Sequence, residues 1–90
     1  MIDVLATALA NRERRRLLTT LLEHDPDATL PIAAVTADDR DTTIALVHAH
    51  LPMLDAADIV RWGRDSQRVR RGPRFEECAM LLKRFHEHPC

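Results

Sequence analysis

Glycine is scarce in this chain of 90 residues: Gly63 and Gly72 are the only two. Together with five prolines they leave little room for long loops. No apolar run approaches the roughly 20 residues that cross a bilayer, which excludes a membrane-spanning helix. The first ten residues contain Asp3 and no basic stretch, so they do not read as a secretion signal, and a cytoplasmic location is expected. Cysteine is limited to Cys78 and Cys90. One pair close to the chain end is a poor disulfide framework and fits thiols that stay reduced. Ser66 is the only serine and falls in a hairpin turn. No glycine-rich phosphate loop and no nucleophile elbow is present. An enzyme is therefore not expected, and no cofactor.

What is present is hydrophobic residue, 46% of the chain, enough for a folding domain. Ninety residues make one domain. A chain of this length buries only about 60–65% of its unfolded surface. A leftover apolar helix is thus a candidate for burial against a second chain.

Charge is distributed unevenly. Twelve arginines stand against a single lysine, Lys83, and the net charge is −1. Residues 1–60 carry a net −5, residues 61–74 a net +5, and residues 75–90 a net −1. A near-neutral chain with one concentrated basic segment points to a local anionic partner.

Periodicity supplies the order of elements. A first helix is expected at about 3–10, with Val4, Leu5 and Leu9 on one side. Asn11 is a plausible N-cap for a helix over 12–24, striped by Leu17, Leu18, Leu21 and Leu22. Asp25-Pro26-Asp27 stops it. Leu30-Pro31 is expected to open a short helix, with Pro31 in the first turn. A longer helix over 42–57 places Ile44, Val47, Leu51 and Leu54 on one stripe. Pro52 should kink it, and Asp58 should fill the terminal position usual for glycine. Residues 59–62 and 67–70 read as two strands of a hairpin. A last helix is expected over 74–88. Two helices joined by a tight turn and followed by a hairpin make a mainly α, α+β plan, the winged helix-turn-helix. Its core would cover about 11–71.

The stretch Ala8-Leu9-Ala10-Asn11-Arg12-Glu13-Arg14-Arg15-Arg16-Leu17-Leu18 resembles the opening of arsenical-repressor-like winged helices. His50-Leu51-Pro52-Met53-Leu54-Asp55-Ala56-Ala57-Asp58-Ile59-Val60 resembles their recognition helix running into the wing. The His-Leu-Pro-x-Leu form is closer still to a small winged-helix family common in haloarchaea. The resemblance covers roughly residues 5 to 71 and implies transcriptional regulation, with no effector or target. Two departures matter. The positions just before His-Leu, typically polar in that group, are here Ile44, Ala45, His48 and Ala49, and Asp58 replaces the glycine.

Candidate sites follow. Arg64, Arg68, Arg70 and Arg71 of the wing are expected to lie along phosphates of double-stranded DNA, since arginine offers forked donors to phosphate oxygens. The competing reading is a solvated hairpin paired with the acidic N-terminal portion. On the long helix, Arg40, Thr42, Thr43 and His48 are the candidates for DNA contact. Its outer face, with Thr42, Ala45, Leu46, Ala49 and Met53, offers few donors, so docking of a protein partner is the rival. Arg14 is expected to be structural, paired with a carboxylate. Arg12, Arg15 and Arg16 are open to phosphate or to solvent. His50 is expected at the core edge, hydrogen-bonded within the fold. A homodimer is expected through the terminal helices, using Val4, Leu5, Leu9, Phe75, Cys78, Leu82 and Phe85 as the seam. His86, His88 and Cys90 are good zinc ligand types, but the i,i+2 histidines do not share a helix face, so no metal is assigned.

Overall fold

A computed structural model describes residues 2–36 and 39–87. The chain is mixed α+β. Its elements are α1 (Ile2–Leu9), α2 (Arg12–Leu22), β1 (Thr29–Pro31), α3 (Ala33–Thr36), α4 (Arg40–Ala45), a π turn (Leu46–His50), α5 (Leu51–Ala56), β2 (Val60–Gly63), β3 (Arg68–Arg71) and α6 (Phe75–Glu87).

Local chemistry explains most boundaries. The Asn11 side-chain oxygen accepts from the backbone N–H groups of Glu13 (2.8 Å) and Arg14 (3.1 Å), which satisfies two orphan donors at the start of α2. After α5, Asp58 adopts a left-handed conformation with φ 64°. The N–H of Ile59 then bonds the Leu54 carbonyl at 3.0 Å and that of Asp58 the Asp55 carbonyl at 3.0 Å. This is the Schellman pattern, with aspartate in the role glycine commonly plays.

Residues 29–31 form a strand and not the start of a helix. β1 pairs antiparallel with β3, with Leu30 opposite Val69 and Pro31 opposite Arg68. The strand order is β1-β3-β2, so β1 is an edge. Proline is tolerated at a sheet edge, because its missing N–H leaves the ladder to the central strand intact. The short helix starts two residues later, at Ala33.

Pro52 is accommodated by the π turn. The N–H of Leu51 donates to the Leu46 carbonyl, five residues back. The wider turn lets the proline ring pass the preceding carbonyls, where a regular α-helix would clash. It also moves the stripe. Five residues separate the stacked positions, so Leu46 joins Leu51 and Leu54 in the core, each no more than 1% exposed. Ile44, expected inside, is 48% exposed. The outer face therefore lacks Leu46.

One apolar core forms from α1, α2, the long helix that α4, the π turn and α5 make together (Arg40–Ala56), the sheet and α6. The terminal helices are covered within the chain: α1 packs on α6, and both pack on α2. Leu5, Phe75, Cys78 and Leu82 are all buried there. The seam expected to join two protomers is thus an intramolecular contact, because α1 and α6 cover one another's apolar sides. Val4 and Leu9 pack partly buried against the same core, while the side chain of Phe85 lies outside the described residues. Burial pushes the Cys78 thiol up to about 11, so it behaves as a small hydrophobe.

Gly72 sits where a side chain cannot. A Cβ there would meet the Asp58 carbonyl oxygen at 2.6 Å and the backbone of Ile59 and Val60 at 2.9 Å. At Gly63 the near atom is the movable Ser66 hydroxyl, at 2.6 Å. Gly72→Ala is expected to cost about 1–3 kcal/mol, the usual penalty of overpacking. Gly63→Ala should cost distinctly less. Urea denaturation of both variants checks the ranking, and equal losses would contradict it.

Candidate nucleic-acid interface

The hairpin sorts its arginines by strand alternation. Directly paired residues share a face. Val69, flanked by Leu30 and Trp62, points inward, and its neighbours Arg68 and Arg70 point out. Arg70 is flanked by Thr29 and Arg61, and Arg68 by Pro31 and Gly63. The outer face thus gathers Arg61, Arg68 and Arg70 around a shallow cleft of about 270 Å³ that also takes in Thr29 and Asp55.

These three are not equivalent. The Arg61 guanidinium lies 3.1 Å from the Asp58 carboxylate and 3.9 Å from that of Asp55. Asp55 in turn accepts the backbone N–H of Trp62 at 2.7 Å, closing an open edge of β2. Arg61 is therefore largely neutralised. Among the described residues no carboxylate lies within ion-pair distance of Arg64, Arg68 or Arg70. Arg68 makes only a long contact, 3.5 Å, to the Thr29 carbonyl.

Arg64, in the hairpin loop, meets the long helix. It lines a cleft of about 260 Å³ with Val47, His48, Pro52 and Gln67. The structure thereby brings together two of the expected contact residues, Arg64 and His48. Gln67 has φ 56° and its side chain donates to the Arg64 carbonyl at 2.8 Å, fixing the loop. Neither Gln67 nor Pro52 stands out in sequence as a site residue: Gln67 reads there as the first residue of the second strand, and the structure places it instead at the end of a four-residue loop, 64–67.

The start of the long helix is different in kind. The Thr42 hydroxyl donates to the Asp39 carboxylate and holds it below the usual carboxylate range. The Thr43 hydroxyl donates to the Asp39 carbonyl at 2.9 Å. Both hydroxyl protons are spent locally. Arg40 is exposed between Asp39 and Asp41, so this helix start carries net negative charge.

Arg71 is a correction to the expected phosphate track. Its guanidinium donates to three carbonyls at the end of α2, those of Leu21 (3.1 Å), Leu22 (3.2 Å) and His24 (3.0 Å). It also pairs with Glu76 at 3.0 Å and lies 4.6 Å over the Phe75 ring. Its side chain is 11% exposed. A cation so placed closes a helix C-terminus and has no face left for phosphate. Arg74 is likewise committed, to Glu77 at 2.8 Å.

The run 12–16 divides in the same way. Arg14 is structural, but its partners are the carbonyls of Ala8 (3.1 Å) and Thr7 (2.6 Å) and the His50 ring (3.1 Å), not a carboxylate. Arg15 donates to the Leu9 carbonyl at 2.7 Å. Arg12 and Arg16 are exposed beside it on α2.

No group of three histidine, cysteine or acidic residues is placed to hold a metal among the described residues. His88, Cys90 and the side chain of His86 lie outside them. No helix among them is long and apolar enough to cross a membrane. Comparison of the chain with protein-family models, curated proteins and solved structures gave no match.

Arg71→Ala is expected to destabilise the fold by roughly 1.5–3 kcal/mol, the range for hydrogen bonds made by a charged group. Arg64→Ala should leave the unfolding midpoint unchanged, since its side chain is solvent-facing. Parallel urea titrations decide this, and a neutral Arg71→Ala would mean the cap is dispensable.

Proposed function

We propose that this chain is a winged helix-turn-helix domain that binds duplex DNA through phosphate contacts and acts in transcriptional regulation. The observation that carries the reading is the set Arg64, Arg68 and Arg70, unpaired with carboxylates and presented by one hairpin beside His48 of the long helix. Guanidinium groups on a projecting hairpin suit phosphate oxygens. The long helix adds little base readout. Its exposed positions include Ile44, Ala49 and Ala56, and strong readout needs arginine, lysine, asparagine or glutamine. Binding is therefore weakly selective for sequence.

A second reading has its own support. Ile44 is nearly half exposed on a helix whose start carries Asp39 and Asp41. An apolar residue next to acidic ones suits a protein partner better than a phosphate backbone.

The test is a titration with random-sequence duplex DNA at several salt concentrations. Each phosphate contact contributes a slope of about −0.9 in log affinity against log salt. Three arginines give about −2.7, and Arg64→Ala with Arg68→Ala should remove about 1.8 of it, on all sequences alike. An unchanged slope with binding intact removes the hairpin from the interface. Absence of salt-dependent binding in the parent protein transfers the case to the protein-partner reading.

A further inference from the structure

His50 closes the π turn, and its ring faces the corner between α1 and α2. The Arg14 side chain occupies that corner. It donates through Nε to the Ala8 carbonyl, through Nη2 to the Thr7 carbonyl, and through Nη1 to His50 Nδ1 at 3.1 Å. A guanidinium has donors only. Nδ1 must then carry the lone pair, and the proton of neutral His50 sits on Nε2. A second proton on the ring would fill that lone pair and place two cations in contact.

We propose that Arg14 and His50 form an acid-sensitive joint, in which neutral His50 ties the long helix to the α1–α2 corner and protonated His50 releases it. The surroundings favour the neutral state. Burial first, and the charge of Arg14 second, hold the imidazole below its ordinary value of 6.5, against the opposing pull of the Glu13 carboxylate. Arg14 and Glu13 are the charged groups that α2 brings to the ring. On the ring's own helix, His48 lines the hairpin cleft and Asp55 accepts the Trp62 N–H. α1 contributes carbonyls, by way of Arg14.

The sign follows from linkage. The unfolded chain takes up the His50 proton as pH falls through 6.5, and the folded chain resists until lower pH. Stability from the joint is complete above 6.5 and is lost as pH falls through the folded midpoint. The window lies in the range where histidine alone among unperturbed side chains titrates. His48 shares the π turn with His50, so release of the joint loosens the helix that meets Arg64. Weaker DNA binding in acid rests on the function proposed above; the joint itself does not.

The experiment is an NMR titration of the labelled imidazole, with thermal melting of the parent and of His50→Asn from about pH 7.5 to about pH 5.5. Asparagine keeps an acceptor at the δ position and does not titrate. His50 should titrate below 6.5, and His50→Asn should lose less than half as much melting temperature on acidification as the parent. Arg14→Met, where it folds, should raise the His50 midpoint. A His50 midpoint at or above 6.5, or equal acid losses in parent and His50→Asn, overturns the joint. Normal titration behaviour with no duplex binding at any pH sustains the joint and removes only the nucleic-acid reading.

Discussion

Three carbonyls at the end of α2 converge on one guanidinium, that of Arg71. A helix ends with up to four unsatisfied carbonyls, and burying them without partners costs free energy for each. Arg71 supplies the donors from β3, while its flat face covers Phe75 at the start of α6 and its far edge pairs with Glu76. One side chain thus fixes α2, the hairpin and the last helix relative to one another. The hairpin's outward arginines inherit their direction from this attachment. With Val69 and Arg71 turned in, alternation obliges Arg68 and Arg70 to turn out.

The same solution recurs in this chain of only two glycines. Arg14 and Arg15 close the end of α1, and a left-handed Asp58 closes α5. Arginine here is first a helix terminator. Of the six arginines in the basic segment, Arg71 is internal and Arg61 and Arg74 are paired, so the open positive charge is half what composition implies. A count of basic residues measures a partner's attraction only after these internal bonds are subtracted.

Signals confined to a few neighbouring residues were legible in the sequence. Asn11 as a cap, Asp58 as a left-handed terminus, and the hairpin with its arginines all depend on chemistry within a few positions. Two features were not legible, for different reasons. β1 is three residues long and exists only because β3 is available to pair with it, which no local pattern records. The π turn changes the helical period for one turn, so a constant 100° step carries Ile44 inward and Leu46 outward, the reverse of the structure. The stripe of Phe75, Cys78 and Leu82 shows a third limit. An apolar stripe reports that a face is buried and says nothing of whether the cover is the same chain or another.

The acidic start of the long helix bears on how the proposed complex would be arranged. Asp39 and Asp41 flank Arg40 at its start, and the positive end of a helix dipole is there partly cancelled by carboxylates. Phosphate would be repelled from that end and drawn to the middle of the helix, where His48 and Arg64 share a cleft. On the proposed reading the hairpin leads and the helix start stays back from the backbone. Direct readout depends on helix residues reaching base edges, and a helix held off by its own aspartates cannot do this well. The weak sequence preference proposed above would then have two causes that reinforce each other: an outer face poor in donors, and an electrostatic field that keeps the first turn of the helix away from the groove.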